Sequence, residues 1–504
     1  MRRAISAAVA SGLVLGGVAA MPAVAAERGH SAAKAVARVT ALKTVVYDGY
    51  ELRVPASWPV YRLDEHPATC VRYDIDAVYL GTPGANMNCP AGLIGRGQTV
   101  SVIPSTVVAA GLGSEVTYQR QQPDGTGGTE LRALRDVASA VTQDAGTHEL
   151  RVVLDAAAPA TVVATYGASS AVVARVLASV RLAPRGARVT PQSGSEQALS
   201  VPSAERLATA RQSAGSSATA KQAGADQAGA DQAGADQAGT TQAGDASSAG
   251  SVSASWKGLP ANWPVQVVQQ PSPAPVGPRL GFDTCTAPSL NTMSVWRQKY
   301  SVVGVYIGGV NYACAFGNLS ATWVRTAAGM GWGMLPIYVG RQAPCWGYQG
   351  VTISPKHAVA QGRAAGADAV ADARLFGLTR GSPIYYDMEA YNSSGWKTCV
   401  PAVLLYLGAW DRTVAAAGYL TGVYSSQDSG IDDMAKAKAG KTKGFTPPDA
   451  IWFALWDNIA SLSDGSLPWP VTDRDKQYAG NVRVTVGKIK MFIDRDLAGG
   501  PLAR

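Results

Sequence analysis

The sequence predicts an α/β protein: a modified (β/α) TIM-like barrel in the C-terminal half, with a small α+β N-terminal domain and a disordered linker between them. The 504 residues exceed what one ordinary hydrophobic core contains, so more than one domain is expected. A low-complexity repeat interrupts the chain near its middle. After that repeat, and not before it, short apolar runs alternate with helical segments, as is typical of parallel β/α units.

Residues 1–26 have the pattern of a secretory signal peptide. Arg2 and Arg3 precede an apolar run, and the small residues Ala23 and Ala25 suit a signal peptidase. The arginine pair leaves two export routes open, the general secretory route and the twin-arginine route. No later run approaches the roughly 20 apolar residues of a membrane span. We therefore expect a protein that is secreted or associated with the cell wall and has no membrane span.

Residues 44–185 are expected to form the small α+β domain. Strand-like runs such as "ELRVVLD" alternate with turn residues, and "SSAVVARVLASVRL" has the spacing of an amphipathic helix. Residues 190–255 are rich in Ala, Gly, Gln and Ser and contain the repeat "QAGADQAGADQAGADQAG", which cannot bury a core. This second segment is therefore expected to be a disordered linker.

Residues 256–504 are expected to form the barrel. Apolar runs such as "VVGVYIGG", "GMLPIYVG" and "SPIYYDME" are typical of buried strands, and "VPAVLLYLGAWDRTVAAAG" has helical spacing. The runs "DKQYAG" and "IKMFIDRD" add two strand candidates, which brings the expected number to eight. Eight strands in about 225 residues fit a closed barrel, whose functional groups lie at the C-terminal ends of its strands.

Composition excludes several classes of function. The formal net charge of +8 favours approach to anionic polymers. Lysines and arginines are scattered rather than interleaved with aromatic residues, so nucleic-acid binding is not expected. The chain has only 4 histidines and no phosphate-loop motif, which argues against Ser-His-Asp catalysis and nucleotide binding. No cofactor is expected.

The 6 cysteines of an exported chain indicate disulfides. We expect pairing within each half of the chain, namely Cys70–Cys89, Cys285–Cys314 and Cys345–Cys399. Their spacing alone leaves other pairings in the second half open. A zinc site is the alternative, but no C-x-x-C motif occurs and the histidines lie far apart in sequence, so no metal site is expected.

Acidic residues recur where the predicted strands end. Asp283 ends the first strand, Asp387 and Glu389 lie at the end of the fourth, Asp457 follows the sixth, and Asp494 ends the last. One D-x-E pair is expected by chance, whereas acids at matching ends of several strands converge on one site. The candidate catalytic residues are therefore Asp283, Asp387, Glu389 and Asp494, at the ends of the first, fourth and last strands. Asp457 is a weaker candidate.

Asp387 and Glu389 have the spacing that glycosidic bond cleavage requires. Side chains two apart on a strand point to the same side. In such a pair, burial and like charge raise the pKa of one carboxyl, which then protonates a leaving oxygen while the other supports positive charge. Nearby side chains are candidates for sugar binding: Tyr338, Tyr386, Tyr391, Tyr424, Trp456 and Asp457. Each aromatic ring also has a packing explanation.

Residues 280–497 resemble the secreted glycoside-hydrolase-like barrels of the family named domain of unknown function 1906. They resemble more distantly the N-acetylmuramidases of glycoside hydrolase family 25. The resemblance rests on the motifs "GFDTC", "VGVYIGG", "IYYDMEAY", "GVYSS", "IWFALWD", "KQYAG" and "FIDRD". It implies a barrel in which helices follow the first strands and loops join the last ones. Beyond Trp456, the sequence indeed shows strands and turns but no convincing helix.

The muramidase pattern implies a role for each acid. Glu389 would be the general acid. Asp387 would support charge at the anomeric carbon or orient the acetamido group of the sugar. Asp283 and Asp494 would hold and tune that pair. The alternative for Asp283 and Asp494 is a structural role as strand-end caps and loop anchors.

The expected function is that of an exported, monomeric glycoside hydrolase-like protein. Its partner would be a cell-wall glycan, and its reaction the hydrolysis of peptidoglycan or a related N-acetylated polysaccharide by carboxylate acid catalysis. In this interpretation the first domain is an adaptor to the wall or to a partner. The alternative is a non-catalytic barrel that binds cell-wall carbohydrate. A third possibility is that the first domain carries the main interaction and the barrel is its scaffold.

Overall fold

The computed structural model describes residues 41–104, 134, 137–144, 147–195, 277–392, 394, 396–463 and 466–503. The predicted signal peptide and the predicted linker from residue 196 onward lie outside these residues. Within them, no helix has the length and apolar character needed to cross a membrane.

The N-terminal part is rich in β-sheet. Its strands are β1 (Leu42–Tyr47), β2 (Tyr50–Pro55), β3 (Val60–Arg62), β4 (Ala77–Leu80), β5 (Thr99–Pro104), β6 (Ala138–Asp144), β7 (Glu149–Leu154), β8 (Ala160–Thr165) and β9 (Arg181–Leu182). They form one sheet in the order β1-β2-β9 and a second in the order β3-β4-β5-β8-β7-β6. Helix α1 (Ala171–Ala178) buries Val173, Val176 and Leu177 in the core that both sheets share.

The first hairpin follows from its turn sequence. Asp48 and Gly49 connect β1 to β2, and both have positive φ, 51° and 83°. Asp-Gly is a preferred pair for a two-residue hairpin turn, because this turn matches the right-handed twist of the strands. Tyr47 and Tyr50 pair across it and set the register of the hairpin.

Residues 190–194 continue the N-terminal domain past its expected end at residue 185. The Thr190 N–H donates to the Val46 carbonyl at 2.9 Å, and the Ser193 N–H donates to the Val60 carbonyl at 2.8 Å. The Val60 N–H donates in turn to Ser193 Oγ at 3.0 Å. The first residues of the predicted linker therefore belong to the folded N-terminal part.

The C-terminal half closes into a barrel of eight strands. They are β10 (Arg279–Asp283), β11 (Val302–Gly308), β12 (Gly333–Tyr338), β13 (Pro383–Asp387), β14 (Leu420–Ser426), β15 (Ala450–Ala454), β16 (Arg474–Val486) and β17 (Ile489–Ala498). Neighbours from β10 to β16 are parallel, whereas β17 is antiparallel to both β16 and β10. Closure was predicted, but the last strand departs from a regular (β/α) barrel.

A tight turn explains the reversed last strand. Gly487 and Lys488 connect β16 to β17, and Val486 pairs with Ile489 across the turn. A two-residue turn joins antiparallel strands, since a parallel connection needs a crossover of about a dozen residues or more. Gly487 has a φ of 59°, in the left-handed region that glycine adopts without strain.

Helices follow the first five barrel strands. They are α2 (Leu290–Trp296), α3 (Ala321–Gly329), α4 (Ala358–Leu375), α5 (Cys399–Ala416) and α6 (Asp432–Ala439). After α6, the only helical segment among the described residues is a short 3-10 turn, Val471–Asp473. The prediction that loops join the last strands is therefore confirmed, and the helical layer of a complete TIM barrel is absent from this part of the described chain.

Three disulfides join consecutive cysteines, Cys70–Cys89, Cys285–Cys314 and Cys345–Cys399, which confirms the predicted pairing. Each of the six cysteines is therefore part of a disulfide. The second disulfide ties the segment after β10 to the segment after β11, and the third ties the segment after β12 to the start of α5. Both therefore hold connections at the side of the barrel where the parallel strands end.

A loop of the N-terminal domain lies against the same side of the barrel. We call residues 85–96 the docking segment. Within it, Ile94 forms an isolated antiparallel bridge with Tyr312, and the Gly95 N–H donates to the Asn311 carbonyl at 2.9 Å. Leu93 and Ile94 are buried in the hydrophobic cluster of the barrel rather than in that of their own domain. The two parts thus share one continuous core at this contact.

Candidate active site

The four predicted catalytic acids line one cavity at the C-terminal ends of the parallel strands. With its mouth, the cavity measures about 370 Å³. The residues around it are Gly92, Asp283, Tyr306, Ile337, Asp387, Glu389, Tyr424, Trp452, Trp456, Gln477 and Asp494. All of them belong to the barrel except Gly92, which belongs to the docking segment.

The end of β13 places Asp387 and Glu389. Asp387 is the last residue of the strand, and Glu389 follows two residues later. Between these two positions the side-chain amide of Gln342 pairs with the backbone: it donates to the Asp387 carbonyl at 2.8 Å and accepts from the Glu389 N–H at 2.8 Å. These bonds hold the chain extended past the strand end, so both carboxylates face the cavity.

Asp283 and Asp494 are adjacent because β10 and β17 pair in register at these two residues. Gln477 on β16 connects them, since its Nε2 donates to Asp283 Oδ2 at 2.9 Å and to Asp494 Oδ2 at 3.3 Å. Its Oε1 accepts from the Tyr424 hydroxyl at 2.9 Å and from Trp456 Nε1 at 2.8 Å. The two donors at Oε1 fix the orientation of the amide, so its NH2 group must face the carboxylates.

The site concentrates buried negative charge. Asp283, Asp387 and Glu389 are only 1%, 2% and 4% exposed. Burial raises the pKa of Asp283 to about 6, and the nearby Glu389 charge adds to that effect, while hydrogen bonds from Gln477 and others oppose it. Burial also raises the pKa of Asp496 well above its usual value, and the charges of Asp283 and Asp494 raise it further. Asp283 and Asp496 are hydrogen-bonded to each other, so this pair retains a proton in the mildly acidic range.

Tyr306 adds a proton donor beside the acids. It lines the cavity and is buried. Burial raises the pKa of its phenol well above the usual value, and the charges of Asp283, Asp387 and Asp494 raise it further. The phenol therefore stays protonated at all physiological pH values and can donate a hydrogen bond into the cavity.

Two of the six predicted sugar-binding residues line the cavity, Tyr424 and Trp456. The polar end of each side chain bonds to Gln477, which leaves the ring as the surface that faces the cavity. Flat apolar rings next to buried carboxylates are a suitable wall for a sugar ring.

Tyr338 and Tyr386 lie outside the cavity, which corrects the prediction that they face it. Side chains alternate between the two faces of a strand, so Tyr386 points away from the barrel interior if its neighbour Asp387 points inward. Its hydroxyl donates to the Arg341 carbonyl at 2.6 Å, and that of Tyr338 donates to Asp368 Oδ2 on α4 at 2.8 Å. Both rings pack between the barrel and its helices.

Tyr391 and Asp457 are also outside the cavity lining and make structural contacts. The Tyr391 hydroxyl donates to Asp433 Oδ2 on α6 at 2.7 Å. Asp457 forms an ion pair with the buried ammonium of Lys476 at 2.8 Å and accepts the Ile459 N–H at 2.9 Å. Asp457 therefore anchors the loop after β15 through these two contacts.

Several residues of the site did not emerge from the sequence. Gln342 and Gln477 are the amides that orient the four acids, and Tyr306, Trp452 and Gly92 complete the cavity wall. The motif "KQYAG" contained Gln477, but nothing in its pattern distinguished the amide from the neighbouring strand residues. Gly92 belongs to another domain, and no spacing rule relates it to the barrel.

No group of three or more His, Cys, Asp or Glu side chains in the described parts of the chain has the arrangement needed to hold a metal ion. The acids of the cavity are instead bonded to amide donors and to one another. Carboxyl groups in such an arrangement can transfer protons and stabilise charge.

Residues 294–498 match the family model described as "Rv2525c-like, glycoside hydrolase-like domain". This match covers most of the barrel and none of the N-terminal domain. Among curated proteins, nothing matches the chain.

Three solved structures are similar to the chain over less than half of its length. An uncharacterized protein of B. stearothermophilus has 17% identity and a TM-score of 0.31, over 44% of this chain and 95% of that one. The catalytic domain of endolysin ply40 from Listeria monocytogenes bacteriophage P40 has 13% identity and a TM-score of 0.28, over 43% and 91%. A family 25 glycosyl hydrolase from Bacillus anthracis has 16% identity and a TM-score of 0.26, over 43% and 87%.

Proposed function

Starting from a barrel whose residues 294–498 match a glycoside hydrolase-like family, we propose that this chain is an exported glycoside hydrolase. Its substrate would be peptidoglycan or a related N-acetylated cell-wall glycan. The observation that carries the proposal is the convergence of Asp283, Asp387, Glu389 and Asp494 on one cavity at the ends of the strands. A set of buried carboxyls with unequal environments is what glycosidic bond cleavage requires.

Glu389 and Asp387 divide the chemistry in this proposal. Glu389 donates its proton to the glycosidic oxygen as the bond from that oxygen to the anomeric carbon breaks. The Asp387 carboxylate stabilises the positive charge at the anomeric carbon, directly or by orienting the sugar's acetamido group, until water adds there. Gln342 supports this division because it binds the backbone of both residues and keeps them on one side.

Asp283 and Asp494 tune that pair from the opposite wall of the cavity. Both accept from the Gln477 amide, which is itself held by Tyr424 and Trp456. Because burial raises the pKa of Asp283 to about 6, the charge next to Glu389 depends on pH in the mildly acidic range. The rings of the two aromatic residues supply the sugar-facing wall.

Glu389→Gln tests the proposed acid. We expect the release of new reducing ends from purified peptidoglycan to fall at least ~100-fold, because an amide cannot supply the proton. Glu65→Gln is the matched control: this glutamate is exposed, pairs with Arg62 in the N-terminal domain, and should leave release unchanged. Full activity of the Glu389 variant would remove it from the acid role.

A carbohydrate-binding barrel without turnover is the second candidate, because the family model that matches the barrel is described only as glycoside hydrolase-like. This candidate predicts no reducing ends from either protein and equal retention of the unaltered chain and Glu389→Gln on the polymer.

Export is part of the same proposal. All six cysteines are paired in three disulfides, and disulfides persist in oxidising compartments outside the cytosol. The predicted signal sequence lies outside the described residues. Recovery of the mature chain from the culture medium or the wall fraction, with its N-terminus near residue 26, would support export.

A further inference from the structure

We propose that the docking segment is a removable cover over the candidate active site, and that glycans reach the carboxylates only after the N-terminal domain moves away from the barrel. The biological meaning of such a cover rests on the proposed function. Its geometry rests on contacts between the two parts of the chain, which hold whatever the substrate is.

Gly92 brings the docking segment directly to the acids. It lines the cavity and has a φ of +57°, in the left-handed region that glycine adopts without strain. A side-chain carbon at this position would lie 2.9 Å from Asp494 Oδ2, so only hydrogen separates the segment from the carboxylate. Next to it, the Ala91 N–H donates to Asn481 Oδ1 at 3.2 Å, and the Asn481 N–H donates to the Asp494 carboxylate.

The docking segment is anchored on both sides of the mouth. Towards the last strands it is held by the contact with Asn481. Towards the segment after β11 it is held by the bridge of Ile94 with Tyr312 and by the buried guanidinium of Arg96, which donates to the Tyr312 carbonyl. A third anchor is Asn318, whose Nδ2 donates to the Ala85 carbonyl at 2.7 Å. The segment therefore crosses the mouth rather than touching one edge.

The covered site is closed to a glycan. Glu389, the proposed acid, is only 4% exposed, and Asp387 is 2% exposed. The interior admits one or two waters, as its volume of about 20 Å³ shows. A polysaccharide chain must place at least one sugar ring between Glu389 and the aromatic wall, so the cover has to move before the proposed chemistry can start.

Nothing covalent prevents that movement. Cys70–Cys89 lies within the N-terminal part, and the other two disulfides lie within the barrel, so none of the three crosses the contact. The two parts are joined in the chain by residues 196–276. The contact joins residues 72–96 to residues 311–318 by hydrogen bonds and two isolated bridges, and it buries Leu93, Ile94 and the Cys70–Cys89 disulfide against the barrel. It is entirely non-covalent, as are the contacts between domains that open and close within multidomain chains.

Leu93→Asp in the full-length chain tests the cover. Leu93 is fully buried in the barrel's cluster and absent from the core of its own domain, so a carboxylate there should displace the segment and leave the N-terminal domain folded. The probe is a water-soluble carbodiimide with an amine, which labels accessible carboxyl groups. We expect labelling of the peptide that contains Asp387 and Glu389 to rise at least ~10-fold, because labelling follows the open population.

Two further variants make the labelling result decisive. Leu182→Asp is the matched control, since Leu182 is 49% exposed on β9 and should leave labelling at the level of the unaltered chain. Ile94→Asp repeats the test at the neighbouring anchor and should also raise labelling. A cooperative thermal transition in each variant excludes unfolding as the cause. Labelling of folded Leu93→Asp and Ile94→Asp that equals that of Leu182→Asp would overturn the cover.

Reducing-end release separates this inference from the proposed function. If labelling and release from peptidoglycan both rise in Leu93→Asp, and Glu389→Gln in the same background abolishes release, both proposals stand. If labelling rises while release stays absent, the cover stands and the hydrolase proposal fails. If release is present at full level in the unaltered chain and labelling does not rise, the hydrolase stands and the cover fails.

Discussion

Gln477 is the residue on which the geometry of the acids depends most. Gln477→Leu removes the donor to Asp283 and Asp494 and leaves the Tyr424 hydroxyl and Trp456 Nε1 without their shared acceptor. We expect the free energy of unfolding in urea to fall by about 3 kcal/mol, because a buried polar group that loses its partner costs about 1–3 kcal/mol. The same substitution at exposed Gln298 is the control and should change little. If Gln477→Leu lowers the free energy of unfolding no more than the control does, the hydrogen bonds of Gln477 do not stabilise the fold as proposed.

Asp283 should make stability depend on pH. Its pKa is about 6 in the folded chain because of burial, against about 3.9 when unfolded. A raised pKa means that the folded state binds the proton more tightly, so this stabilisation is complete below pH ~4 and is lost as the pH rises through about 6. The difference in unfolding free energy between the unaltered chain and Asp283→Asn should therefore decrease by on the order of 3 kcal/mol from pH 4 to 7.

Urea titrations at several pH values between 4 and 7 measure this difference. Asp428→Asn, at an exposed aspartate, is the control. Its difference in unfolding free energy from the unaltered chain should not show the decrease between pH 4 and 7 that is expected for Asp283→Asn. A pH-independent difference for Asp283→Asn would show that the pKa of this carboxyl is the same in the folded and the unfolded chain.

At the residue scale, the sequence predicted the acids of the site better than their neighbours. Asp283 and Asp387 end their strands and Glu389 follows β13 closely, and strand ends of a barrel meet at one side. Asp494 was expected to end the last strand but lies within β17, and it reaches the site because it pairs with Asp283. Tyr386 was misplaced, although alternation along β13 puts it on the opposite face from Asp387. The orienting amides Gln342 and Gln477 carried no comparable signal, since glutamine is usually a surface residue.

At the element scale, the turn between β16 and β17 reverses the strand that closes the barrel. Gly487→Val should lower the free energy of unfolding by about 1–2 kcal/mol, because a β-branched residue is strained at a φ of 59°. Lys490→Val, at an exposed position of β17, introduces the same side chain in extended backbone and should stay within about 0.5 kcal/mol. Equal thermal shifts of the two variants would argue against a left-handed turn at Gly487.

The number of barrel strands was predictable, and the direction of the last one was not. Apolar runs and the helices between them indicated strands β10 to β15 because period and length differ between the two element types. The two final runs were recognised as strands, but a barrel interpretation assumes that each runs parallel to the one before. The short "VGKI" connection contained the opposite information, since it is too short for a parallel crossover.

At the scale of the whole molecule, the two folded parts are not independent units on a tether. The sequence predicted two domains with a linker between them, and an adaptor to the wall or to a partner as the role of the first domain. Residues 85–96 contact the barrel through hydrogen bonds with partners more than 200 positions away, such as Asn311 and Asn481. Contacts of this range leave no periodic pattern in either segment, so local sequence could not predict them.

The pairing of the disulfides has a consequence for biogenesis. Each cysteine is bonded to the next one along the chain, with separations of 19, 29 and 54 residues. A chain that enters an oxidising compartment N-terminus first therefore presents every cysteine to its correct partner before any later one arrives. Vectorial oxidation then yields the native pairs directly, without the slow thiol–disulfide exchange that corrects interleaved pairings.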